Sequence, residues 1–209
     1  MKKIVRYLLM ILCLVVFCYS AYNLVDIYLD YKKIDDTYDD VAQEYTKTVE
    51  EDQFSYLQID WKELKERNSD VKAWIQIPDT RVNYPVLQGE TNDSYIHSDI
   101  DKKELKAGSI FVASENPSPF EDTNTVIYGH NMANNTAFGS LVKYWQNYSF
   151  YDESPIIELS SNYKDYQYII FGYIITSGSY DDTDFHYWNM EDFKSEEDAM
   201  RKFRLANTM

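Results

Sequence analysis

The residues best placed to do chemistry lie in the stretch Thr125-Val126-Ile127-Tyr128-Gly129-His130-Asn131-Met132. A β-branched apolar run ends in a glycine, and an imidazole follows at the strand's exit. A buried strand is a rigid base, and the glycine removes a side chain that would crowd whatever approaches, so His130 is aimed by the scaffold. Histidine titrates nearest neutrality of all side chains, which makes a fixed, partly desolvated His130 a natural acid, base or ion-pair partner. A capping or surface histidine fits the local pattern equally, so the rest of the chain must decide between them.

The other reactive residue types offer little. The two cysteines, Cys13 and Cys18, both lie in an apolar N-terminal run, where a thiolate is strongly disfavoured. No Gly-x-Ser-x-Gly elbow occurs. The three histidines, His97, His130 and His186, are far apart in sequence and lack H-E-x-x-H or H-x-H spacing, so no zinc site is expected. The acidic run Tyr180-Asp181-Asp182-Thr183-Asp184 offers oxygen ligands for calcium but fits no EF-hand register and reads as a solvated loop. No cofactor is implied.

The elements that must position His130 follow from pattern and charge. Residues 1–6 form a short basic start, and residues 7–25 carry no charge, close to the ~20 needed to cross a hydrocarbon core as helix. Basic residues before this run and Asp26 after it predict a single-pass, uncleaved anchor with a cytoplasmic N-terminus and an extracytoplasmic domain. A net charge of −15 argues against nucleic acid and against anionic head groups as partners held by charge. The 20 tyrosines suit half-exposed strands, or a groove for an extended peptide or glycan.

Residues 26–67 are acidic, free of Gly and Pro, and carry Ile27, Ile34, Tyr38, Val41, Tyr45 and Val49, then Leu57, Trp61 and Leu64. That spacing predicts a helical stalk followed by a helix packed on the domain. From residue 68 the character changes to short strands, at residues 71–77, 81–87, 108–113, 125–129, 156–159 and 166–176. Pro85 predicts an edge or a bulge in the second. One helical turn is expected near Tyr95 and Ile96, a short helix over 137–144, and another over 195–206. Irregular connections without alternating βα units predict an antiparallel or mixed barrel, mainly β with peripheral helices, over residues 68–209.

In order along the chain, Asn68-Ser69-Asp70-Val71-Lys72-Ala73-Trp74-Ile75-Gln76-Ile77-Pro78-Asp79-Thr80-Arg81-Val82-Asn83-Tyr84-Pro85-Val86, then Gly108-Ser109-Ile110-Phe111, the Tyr128-Gly129-His130 stretch, and Tyr168-Ile169-Ile170-Phe171 resemble a class B sortase. The resemblance covers nearly the whole chain. It implies an eight-stranded β-barrel and a cysteine transpeptidase: a thiolate attacks the Thr carbonyl of a sorting signal of the Asn-Pro-x-Thr-Asn type or a relative. An amine of peptidoglycan or its lipid-linked precursor then resolves the thioacyl enzyme. His130 takes the position of the family's histidine, which protonates the leaving amine, and Tyr128 and Asn92 take positions lining the substrate groove. Tyr180, Phe185, Tyr187 and Trp188 would form a groove wall.

The resemblance also implies a catalytic Cys on a Thr-Leu-Ser-Thr-like strand and an Arg on the strand after it, and residues 1–209 hold neither strand. The chain is therefore expected to be a C-terminally incomplete sortase barrel, inactive as written, whose isolated domain folds poorly. The alternative is a membrane-anchored extracytoplasmic module that binds a peptide or glycan without catalysis.

Overall fold

The computed structural model describes residues 2–51 and 54–175. The expectations for residues 177–189 and 195–206, and the acidic run at 180–184, lie outside them. Helix α1 (Lys2–Tyr45) is a single 44-residue rod with two surroundings. Its first half exposes apolar side chains all round, and by length and composition it could cross a membrane. Past Asp26 it buries one stripe, Ile34, Tyr38, Val41 and Tyr45, whose i, i+4, i+7, i+11 spacing keeps them on one face.

Residues 46–59 correct the helical reading of the stalk. They form a hairpin, β1 (Thr46–Glu51) and β2 (Phe54–Ile59), paired Thr46 to Ile59 through Glu51 to Phe54. Thr46, Thr48 and Val49 are β-branched, and Phe54, Tyr56 and Ile59 favour strands; the three-to-four-residue recurrence of Tyr45, Val49 and Leu57 was not helical periodicity. Helix α2 (Trp61–Arg67) follows, capped by the Asp60 side chain, which accepts from the Glu63 N–H.

Among the described residues the domain forms one mixed six-stranded sheet: β3 (Val71–Gln76), β4 (Asn83–Leu87), β5 (Ile110–Val112), β6 (Ile127–Tyr128), β7 (Ile156–Ser161) and β8 (Asp165–Ile169). The order is β6-β5-β4-β3-β7-β8, antiparallel except between β4 and β5. Pro85 sits in an interior strand, yet β5 pairs with only Val86 and Leu87, so no neighbour on that side needs the N–H that proline lacks. The strand proposed over 125–129 shortens to two residues, and that over 166–176 ends at Ile169. The one-turn helix α3 (Asp93–Ile96) lies where Tyr95 and Ile96 placed it. The helix expected over 137–144 is a 3₁₀ turn (Gly139–Val142) running into α4 (Lys143–Gln146), and α5 (Ser149–Glu153) was not anticipated.

Strand alternation splits the core in two. Ala73, Ile75, Tyr84, Val86, Ile110 and Val112 pack on one face with Ile34 and Tyr38 of α1. Trp74, Leu87 and Phe111 pack on the other with Val41 and Tyr45. A register shift between Val71 and Ala73 puts Val71 on the same face as Trp74, which regular alternation would forbid. Helix α1 therefore serves both halves of the core. The sheet curls enough for Phe120, ahead of β6, to meet Tyr166 of β8, with ring centroids 6.4 Å apart. A cleft of about 710 Å³ lies on this inner face, lined by Ile75, Ile127, Phe138, Leu141, Ile157 and Tyr168 among others.

Arg67 straps the outer layer together. Its guanidinium donates to both Asp101 carboxylate oxygens (2.7 and 3.0 Å) and to Glu44 of α1 (3.0 Å). Through these bonds Arg67 holds the Asp101 carboxyl down at about 2. A depressed carboxyl stabilises the fold above its ordinary range, and the contribution fades as pH falls from about 4 toward 2. Asp101→Asn is expected to cost about 1 kcal/mol at pH 7, since the pair is partly exposed. Thermal unfolding of variant and parent should differ at pH 7 and converge near pH 2.

Candidate active site around His130

His130 leaves β6 half-buried, open on one side and not sealed in the interior. Its backbone is pinned: the His130 carbonyl accepts from the Phe138 N–H at 3.0 Å, and Asn131 pairs with Ala137. Gly129 has a packing reason that differs from the open approach expected. A Cβ there would come within 2.4 Å of Ile110 Cδ1 and 2.7 Å of Phe138 Cδ2, so protein side chains fill the space. Side chains alternate along 127–130, which sends Ile127 to the cleft face and Tyr128 to the opposite one, against Phe111 (centroids 5.4 Å apart). His130 follows Tyr128 and not Ile127, and it does not line the 710 Å³ cleft.

What faces the imidazole instead is the connection from α3 to β5. The His97 ring lies 5.4 Å from the His130 ring, centroid to centroid, tilted by 37°. The Ala107 backbone supplies a hydrogen-bond partner from the same connection. Spacing had set the two histidines apart as unrelated, and the structure brings them together. Partial burial lowers the pKa of His130, His97 lowers it further, and the hydrogen bond to Ala107 opposes both by favouring the charged ring. The result is an imidazole biased toward its neutral form.

Asn92 stands at the other end of α3, as its N-cap residue. Its Nδ2 donates to both carboxylate oxygens of Glu115 (3.1 and 2.9 Å), and its Oδ1 accepts from the Ser114 N–H (2.8 Å). These bonds, first of all the one from Asn92, hold the Glu115 carboxyl below its usual range. Both ends of the Asn92 amide thus tie α3 to the exit of β5, and the three predicted residues fall into a pair, Tyr128 and His130, and a bracing group, Asn92. Cys13 and Cys18 are exposed on the apolar half of α1. Among the described residues no group of three or more His, Cys, Asp or Glu could hold a metal ion.

Sequence reasoning missed His97. Its only local signals were a polar residue after a one-turn helix and Gly108 eleven residues later, whose positive φ (56°) folds the connection back.

Gly129→Ala is expected to cost ~1–3 kcal/mol through overpacking. Adding Ile110→Val, which deletes the Cδ1 atom in closest conflict, should recover part of that loss in a denaturation midpoint. Full retention of stability by the single variant would contradict the packing described.

Comparison with known proteins gives a consistent family. Residues 75–199 match the sortase domain model. The chain is 30% identical to sortase B of Staphylococcus aureus over 200 residues, covering 95% of this chain and 80% of that protein. It is 34% identical to sortase B of Listeria monocytogenes over 154 residues, covering 73% of this chain and 60% of that protein. The fold resembles a crystal structure of sortase B from B. anthracis (TM-score 0.67, 23% identity, 87% of this chain and 81% of that one). It also resembles a Staphylococcus aureus sortase B–substrate complex (TM-score 0.59, 30% identity, 71% and 65%).

Proposed function

Because this chain belongs to the sortase family, and within it to the class B sortases, we propose that it serves a cysteine transpeptidase reaction on exported proteins, with His130 as the acid. The observation that carries the assignment of His130 is the half-buried imidazole fixed at the end of β6, inside the matched domain.

A thiolate adds to the Thr carbonyl carbon of a sorting signal of the Asn-Pro-x-Thr-Asn type or a relative. The C–N bond then breaks, and the leaving amine takes a proton from the His130 imidazolium. An amine of peptidoglycan or its lipid-linked precursor next attacks the thioester, restores an amide and releases the thiol. A lowered pKa makes the imidazolium a stronger acid toward the amine, although less of it is charged at neutral pH. Tyr128, on the strand that delivers His130, is the nearer candidate for touching the substrate. Asn92 can reach a substrate only by exchanging its bonds to Glu115 and Ser114.

Residues 7–25 of α1 would anchor the protein in the membrane in a single pass. Lys2, Lys3 and Arg6 on the cytoplasmic side would leave the domain outside. The thiols within residues 1–209 are Cys13 and Cys18, both on that anchor. We therefore assign the nucleophile to neither of them.

In a protein carrying its nucleophilic thiol, His130→Ala should lower kcat/KM for a sorting peptide by about 10²–10⁴-fold. Residues 1–209 alone, in lipid nanodiscs, should release no amine from that peptide. Unchanged kcat/KM in the first experiment would favour a binding module, and amine release in the second would overturn the exclusion of Cys13 and Cys18.

A further inference from the structure

We propose that His97 is a positioning residue for His130, setting the orientation and proton affinity of that imidazole through direct ring contact. The inference rests on the role of His130 stated above but reads a different property, its ionisation.

The two rings lie 5.4 Å apart at 37°, close enough for contact and for a charge on one to be felt by the other. His97 is not carried there by a loose loop. It caps the C-terminus of α3, whose Tyr95 is buried, donates to Asp70 at 2.6 Å and accepts from Asn68 at 2.8 Å. The His97 carbonyl accepts from the Leu105 N–H (3.0 Å), the Tyr95 carbonyl from the Ser109 N–H (2.9 Å), and the Ser98 carbonyl from the Ser109 hydroxyl (2.8 Å). The same fold-back presents Ala107, the second partner of His130. Both neighbours of the catalytic ring therefore ride on one cross-braced unit.

Among the described residues, the charged groups on the neighbouring segments are occupied elsewhere. Lys106, adjacent to Ala107, pairs with Asp30 of α1. Asp99 accepts from the Asp101 and Lys103 N–H groups, and Glu115 is held by Asn92. Tyr128 lies toward Phe111, and the 131–138 turn that follows carries no ionisable side chain. Among the described residues His97 is thus the titratable side chain acting on His130, and its effect opposes protonation.

The chain has three histidines, so their ring Cε1–H resonances can be assigned by single substitution. In residues 1–209 in detergent micelles, His97→Asn should raise the titration midpoint of His130 by about half a pH unit. His97→Lys, which keeps a permanent charge at the site, should lower it. The opposed directions separate an electrostatic contact from simple packing, which would move both variants alike. His97 is exposed, so both replacements should fold, and circular dichroism checks this. A His130 midpoint unchanged within about 0.1 unit in His97→Asn, or a common direction in both variants, overturns the proposal. Either result leaves the transpeptidase reading intact, because that reading stands on the His130→Ala measurement.

Discussion

The site depends on how tightly residues 104–109 are squeezed between two supports. On one side Tyr38 of α1 donates to the Gly108 carbonyl, Lys33 donates to the Glu104 carbonyl at 2.8 Å, and Lys106 pairs with Asp30. On the other, the backbone of α3 presses so close that a Cβ on Gly108 would lie 2.3 Å from the Ile96 carbonyl oxygen. Only a residue without a side chain fits there, and the positive φ adds a second reason for glycine. The imidazole of His130 takes one neighbour, Ala107, from this compressed segment and the other, His97, from the end of α3 that presses on it.

Helix α1 gains a meaning beyond that of a tether. It runs without interruption from the exposed apolar half into the two halves of the core, so what holds the 104–109 segment is the same rod that is apolar enough to enter a membrane. Asp30 lies five residues past Val25, roughly 7.5 Å of helix rise. The ion pair from Asp30 to Lys106 therefore places the segment bonded to His130 close to the end of the apolar run. The burial of Tyr38 beneath this contact pushes its phenol well above the ordinary range and keeps it a hydrogen-bond donor at any working pH.

The two faces of the sheet divide the labour. The inner face carries an apolar cleft between the β6 side and the β8 side, bridged at one point by Phe120 and Tyr166. The outer face carries Tyr128, His130 and α3 with its bracing by Asn92. Gly129 joins them: its missing side chain lets Ile110 and Phe138 close beneath the strand end that carries His130. A single position thus couples core packing to the backbone beside the imidazole.

Local pattern was enough for much of this. The uncharged run before Asp26, the stripe Ile34, Tyr38, Val41 and Tyr45, the alternation through Val71–Gln76 and Asn83–Leu87, and an imidazole after a strand are all signals within a few residues, and periodicity and propensity act over that range. The hairpin at 46–59 escaped because short apolar recurrences fit helix and strand alike, and its pairing is settled by cross-strand contact. The meeting of His97 with His130 across 33 residues had no local signature beyond the turn at Gly108 and the end of a one-turn helix. It exists because chain reversal at Gly108 and packing against α1 bring distant segments together, and only closure of the tertiary fold decides which rings then touch.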